Sequence, residues 1–187
     1  DYVWGKLFET EGLSGNIATD SEGNVYATGI FAGDLAVSDG GNKGSVLPGK
    51  SAPGAYIYKF NPTGEVEWSR TFESSRTIES YGSIWINNGT VDSDGNTYMF
   101  GYFRGPMDLD MGAGELLADD SIYVLKVDPS GNLSWPWLLE PSVNMEGHSI
   151  GVADGGSVYI TGSFQGTVDF EPGEGVRELT SAGLTDS

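Results

Sequence analysis

The sequence predicts an all-β fold built from repeated four-stranded antiparallel units, and three observations predict it. One phrase occurs as Asp20 to Phe31 (DSEGNVYATGIF), as Asp92 to Phe103 (DSDGNTYMFGYF) and more loosely as Asp154 to Phe164 (DGGSVYITGSF). A second phrase, Tyr56 to Trp68 (YIYKFNPTGEVEW), matches Tyr123 to Trp135 (YVLKVDPSGNLSW) without a gap. Finally, 29 Gly and 8 Pro punctuate the 187 residues so often that no window holds an apolar stripe at helical spacing.

Taken in order, Asp1 to Phe8 (DYVWGKLF) resembles Glu65 to Phe72 (EVEWSRTF) and reads as the outer strand of a preceding unit. The first full unit spans 12–72. Gly15 to Thr19 is its small-residue inner strand, and Asn24 to Phe31 follows across an Asp-x-x-Gly-Asn turn. Gly33 to Pro53 reads as a long Gly-rich connection without periodicity. Ala55 to Phe60 and Glu65 to Phe72 then form a hairpin, because Pro62 presets the turn and Gly64 supplies a positive φ.

The second unit, 79–139, repeats this plan through Ser83 to Val91, Asn96 to Phe103, Ser121 to Val127 and Asn132 to Leu139. Its third strand follows an acidic loop, Asp108 to Asp120, and Pro136 marks the fourth as an edge strand. The third unit, 146–187, offers His148 to Val152, Ser157 to Phe164 and Gly166 to Phe170, and Ala182 to Ser187 aligns with Leu116 to Ser121. Units of about 60 to 70 residues suit β-propeller blades with long loops, and nearly three are present. Since a ring takes four to eight blades, the chain is expected to be part of a larger ring; a ring assembled from several copies is the alternative.

Acidic residues number 27 against nine basic, a formal charge of −18. Such a surface repels phosphate backbones and anionic lipid, which argues against nucleic acid and membrane surfaces as partners and favours cations or basic protein patches. There is no cysteine, so disulfides and thiolate metal sites are excluded, and no apolar run is long enough to span a bilayer.

With both phrases in view, the chain resembles the bacterial β-propeller repeat family often abbreviated SBBP. The resemblance rests on the Asp-Ser-x-Gly-Asn-x-Tyr-x-x-Gly-x-Phe segments, on Gly166 to Phe170 (GTVDF) and on Lys126 to Trp135. It covers essentially the whole chain. It implies an exported, cell-surface or periplasmic protein whose repeats serve as scaffold or binding module without shared catalytic residues. The insertion at Gly33 to Pro53 and Ala153 in place of the turn Asp depart from the pattern. A weaker likeness to quinoprotein-type propellers lies in the spacing Gly64 to Trp68 and Gly131 to Trp135; in both families the Trp reads as packing between blades.

Candidate sites are few. Asp92-Ser93-Asp94-Gly95-Asn96 gathers oxygen ligands, but Phe103 stands where an EF-hand needs Glu, and Asp and Asn also favour such turns unaided. Asp108 with Asp110, and Asp169 with Glu171, occupy equivalent places, where strand alternation would turn each pair to one side to hold Ca²⁺. Ala36 fills the matching place in the first unit. The single histidine, His148, has no Ser or Cys partner at a recognisable spacing and reads as a packing or channel-rim residue. Asn88-Gly89-Thr90 and Asn132-Leu133-Ser134 fit the N-glycosylation sequon, against the bacterial character of the repeats.

The expected function is therefore a non-catalytic module for protein or glycan binding, or for scaffolding, at the cell surface. The alternative is a propeller enzyme, either a polysaccharide hydrolase or lyase using paired carboxylates, or a quinoprotein-like oxidoreductase.

Overall fold

One turn, used four times, sets the architecture. Asp20 Oδ1 accepts the amides of Glu22 (3.0 Å) and Asn24 (2.9 Å), and Asp92 Oδ1 those of Asp94 (3.0 Å) and Asn96 (2.8 Å). Asn61 and Asp128 hold the amides two and four residues on in the same way. A glycine of positive φ completes each turn: Gly23, Gly64, Gly95 and Gly131. Each turn reverses one strand into its antiparallel neighbour.

The computed structural model describes residues 3–39, 43–49, 53–73, 83–111, 116–139, 146–153, 155–171 and 175–183. In the first sheet β1 (Leu7–Thr19), β2 (Val25–Ser38), β4 (Gly54–Phe60) and β5 (Val66–Glu73) lie in chain order, with β3 (Lys43–Leu47) joined to the far end of β2. The second sheet repeats the order with β6 (Ser83–Val91), β7 (Thr97–Arg104), β10 (Ser121–Val127) and β11 (Leu133–Leu139). A third unit pairs β12 (Glu146–Val152) with β13 (Val158–Ser163). Two ribbons stand beside the later units, β8 (Met107–Asp108) with β9 (Leu117–Ala118), and β14 (Thr167–Asp169) with β15 (Glu178–Thr180). The all-β architecture of propeller blades is thus present. The first strands β1, β6 and β12 pack side by side.

Each middle strand is buried on both faces, which is why β4 and β10 read as continuous apolar runs. On β10, Tyr123, Leu125 and Val127 meet Ala55, Ile57 and Phe72 of the first blade. Ile122 and Val124 turn to the third blade, toward Ile150 and Val168. The outward face of the first blade, with Tyr56, Tyr58 and Phe60, is covered by Trp4 and Phe8.

Several elements differ from expectation. Leu7 and Phe8 run without a break into β1 and pair with Ser38 and Val37 of the first blade's own sheet, although Trp4 and Phe8 still pack as an outer strand does. The stretch expected as a structureless connection continues β2 to Ser38 and returns as β3; Gly40 to Asn42 and Lys50 to Ala52 lie outside the described residues. The acidic loop likewise contains the β8–β9 ribbon, so each unit carries a side ribbon after its second strand. Asp154 and Leu184 to Ser187 lie outside the described residues.

Candidate functional site

Neighbouring blades are joined by two latches. Trp68 Nε1 on β5 donates to the carbonyl of Pro129 in the next blade (2.9 Å), and its ring lies on Gly131 so closely that a Cβ there would stand 2.9 Å from it. Trp4 repeats the contact, donating to Pro62 O (3.0 Å), with a Cβ at Gly64 reaching to 2.7 Å. The second latch lies on β2, between β1 and β4 in the sheet. Tyr26 Oη donates to Asp20 Oδ2 (3.1 Å) and reaches Gly95 O of the next blade (3.4 Å). Its ring meets Trp68 edge-on at 6.3 Å and carries Lys59 Nζ at 5.7 Å.

The second blade copies this constellation. Tyr98 Oη donates to Asp92 Oδ2 (3.0 Å), Trp135 stands 6.3 Å away, and Lys126 Nζ lies 5.3 Å over the ring. Burial pulls the Asp20 and Asp92 carboxyls upward, but hydrogen bonds from Asn24 and Tyr26, or Asn96 and Tyr98, outweigh it and hold both below the ordinary value of 3.8. Burial first, and the Asp20 carboxylate second, push the Tyr26 phenol well above its ordinary range. These carboxylates are committed to structure.

Trp135 finds no turn to lie on among the described residues and is 37% exposed; Tyr159, the counterpart of Tyr26 and Tyr98, is 65% exposed. Beside them the junction of the second and third blades opens into a cleft of about 510 Å³. Phe100, Ile122 and Trp137 form one wall, Ile160, Phe164 and Phe170 the other, and Glu146, His148 and Ser163 stand at its polar edges. A smaller hollow of about 320 Å³ shares Trp137, Ile160 and Phe170 and reaches Trp135. At the first junction the equivalent space is filled by Tyr123, Leu125 and Val127 of β10. At the second junction β13 pairs only with β12 among the described residues, so that space stays open.

The surroundings of the cleft are fixed. Asn87 Nδ2 donates to Gly147 O, and Asn88 Nδ2 to Ser149 Oγ (3.0 Å), tying β6 to β12. Trp85 stacks on Tyr102 at 4.3 Å and 13°, and Tyr102 packs on the Phe100 and Ile122 cluster. Burial raises the Tyr102 phenol, Arg104 opposes this and Glu146 adds to it, which places charges of both signs around the stack.

The acidic pairs predicted to hold calcium have a different geometry from the one expected. β8 ends at Asp108 and β14 at Asp169, so strand alternation does not reach Asp110 or Glu171. Asp108 Oδ1 accepts the amides of Asp110 and Leu116 (both 3.0 Å), and Asp169 Oδ1 those of Glu171 (3.0 Å) and Arg177 (2.7 Å). In each case one oxygen closes a side ribbon, and the Arg177 and Glu171 amides lower the Asp169 pKa. No three acidic or histidine side chains converge among the described residues. Of the two sequons, Asn88 is partly buried and bonded to β12, and Asn132 bonds back to Asp128 Oδ2 (3.1 Å).

His148, expected as a packing or channel-rim residue, is exposed and stands at the polar edge of the cleft between blades. Trp85, Trp137, Glu146 and Phe170 were not expected as site residues. A signal existed for two of them: in the repeat alignment Trp85 stands over Leu13 and Trp137 over Arg70, so both tryptophans lie outside the repeating pattern.

No family model matches the chain. It is similar, at 24% identity over 167 residues, to an uncharacterized WD repeat-containing protein of Acanthamoeba polyphaga mimivirus. The match covers 82% of this chain and 12% of that protein, so the chain spans a small part of its relative. Repeated β-blades and a WD-repeat relative agree with each other on the kind of scaffold.

Proposed function

We propose that the chain is a propeller segment that works as a non-catalytic interaction module, taking an extended apolar segment of a partner protein into the cleft between its second and third blades. The observation that carries this reading is the cleft itself: two facing aromatic and aliphatic walls with a few polar groups at the edge. An exported or cell-surface setting belongs to the same proposal. It is supported by the −18 charge and by the resemblance to SBBP-type repeats. A glycan reading has one observation in its favour, the exposed Trp85 stacked on Tyr102 beside charged groups, since a flat aromatic platform suits a sugar face.

Labelled protein applied to peptide and glycan arrays tests the two readings together. Retention by peptides rich in aromatic and β-branched residues, lost in Ile160→Asp, is the expected result. Glycan retention that survives Ile160→Asp and disappears in Trp85→Ala would replace it. Turnover of a polysaccharide abolished by a single carboxylate substitution would overturn the non-catalytic reading. Fractionation of cells making the intact gene product checks the setting.

A further inference from the structure

We infer that the outward face of the β8–β9 ribbon is a docking surface for a basic, aliphatic segment of a partner protein, one in which Lys or Arg alternates with aliphatic side chains. The ribbon contributes no lining residue to the cleft between the second and third blades, so this surface stands independently of the function proposed above.

A four-stranded blade is complete without its ribbon, yet the ribbons hold much of what the molecule leaves apolar on its surface. Val46 of β3 is 47% exposed, Leu116 and Leu117 are 38% and 55% exposed, and Val176, leading into β15, is 74% exposed. All of them lie on the returning half of a ribbon that follows a second strand. Register explains the outward facing in the second unit. Met107 pairs with Ala118, and both pack beside Leu109 in the core shared with the first blade. Asp108 pairs with Leu117, so alternation turns that pair away from the core. The exposure belongs to the ribbon itself: Val46, on the matching return of the first unit, stays open to solvent although the second blade stands beside the first with all four strands.

Charge selects the occupant. From Arg104 to Asp120 the sequence carries Asp108, Asp110, Glu115, Asp119 and Asp120 and no second basic residue; Asp119 and Asp120, just beyond the leucines in the chain, are exposed. In the first unit Asp34 and Asp39 are matched by Lys43 and Lys50, and Asp39 is paired with Lys6. An acidic partner is repelled by the second ribbon, and an uncharged apolar one would desolvate its carboxylates without a counter-charge. A segment that is both basic and aliphatic gains steering from the carboxylates and affinity from covering Leu116 and Leu117.

The test uses the 187-residue chain and two labelled octapeptides capped at both ends, GKLKGKLK and GKSKGKSK, which carry equal charge. At about 0.15 M salt, where long-range attraction is screened, the Leu peptide should bind saturably and about tenfold more tightly than the Ser peptide, with slowed amide exchange at Leu117 and Ala118. Leu117→Ser in the protein should remove most of that difference, and Asp119→Asn should weaken the Leu peptide about threefold. Val46→Ser and Ile160→Asp should leave its binding unchanged. Because Leu117 is exposed, its variant should keep the parent urea midpoint, and Leu117→Ala should give the same loss of preference. Equal binding of the two peptides, or a preference for the Leu peptide untouched by both Leu117 variants, reduces the surface to charge attraction and overturns the inference. Binding that survives Leu117→Ser and is lost in Ile160→Asp places the peptide in the cleft, which overturns the inference and leaves the cleft reading standing.

Discussion

The junction between the first and second blades is closed, and the junction between the second and third is open among the described residues; the first phrase recurs on both sides of each, whereas the second phrase, Tyr123 to Trp135, supplies the closing hairpin at the first junction and has no copy within residues 146–187. At the closed junction Met99, Tyr123, Leu125 and Val127 are fully buried against Ala55 and Ile57, and Trp68 is locked on the Pro129 turn. At the open one Ile160, the counterpart of Met99, is partly exposed, and Trp135, the counterpart of Trp68, reaches solvent. The comparison teaches that a blade's identity resides in its turns and strand order, whereas its cohesion resides in the hairpin that the next blade lays across it.

The contrast is broken most directly at the tryptophans. Trp68→Ala should destabilise the chain by about 3 kcal/mol, because it removes a packed indole and its hydrogen bond, while Trp135→Ala should cost about 1 kcal/mol or less. Urea denaturation of both variants checks this; equal losses would mean that the second junction is as tightly closed as the first.

A smaller difference is expected within the aliphatic stations. Met99→Ala should cost about 2 to 3 kcal/mol at the closed junction, and Ile160→Ala about 1 kcal/mol, since a wall already facing an open cleft loses fewer contacts.

Next come the turns, which the two junctions share. Asp92→Ala removes the acceptor of two amides, the Asn96 side chain and the Tyr98 hydroxyl, and should cost about 2 kcal/mol. Asp20 and Asp92 have folded-state pKa values below 3.8, so their contribution is present above that pH and is lost as pH falls through the lower folded values. The urea midpoint of the parent chain should therefore drop steeply below about pH 4, and the drop should be shallower in Asp92→Asn.

The smallest effect concerns Asp108, Asp110, Asp169 and Glu171. Two backbone amides already occupy an oxygen of Asp108 and one of Asp169, so millimolar Ca²⁺, Mg²⁺ or chelator at matched ionic strength should shift the melting temperature by less than about 2 °C. A rise specific to Ca²⁺ and absent in Asp108→Ala would establish the acidic pairs as a calcium site.

The sequence by itself determined the turns, the strand order within a blade and the facing of Tyr, Lys and Trp, because these follow from hydrogen bonds two to four residues apart and from strand alternation. Asp20, Asn61, Asp92 and Asp128 each announce their turn locally, and Gly at the next-but-two position supplies the φ it needs. The side ribbons were not legible. β8 and β9 are two residues each, too short for periodicity, and they exist because Leu109 N meets Leu116 O while Asp108 holds the return. Nor could spacing show that Asp108 and Asp110 flank a strand end rather than share a strand face. Above all, that Trp68 lies on the Pro129 turn was decided only by the tertiary structure, because the indole's partner stands 61 residues further along the chain and none of its own neighbours points to it. The cleft arose the same way, from Phe100, Trp137, Glu146 and Phe170, which no local rule connects until three blades are set side by side.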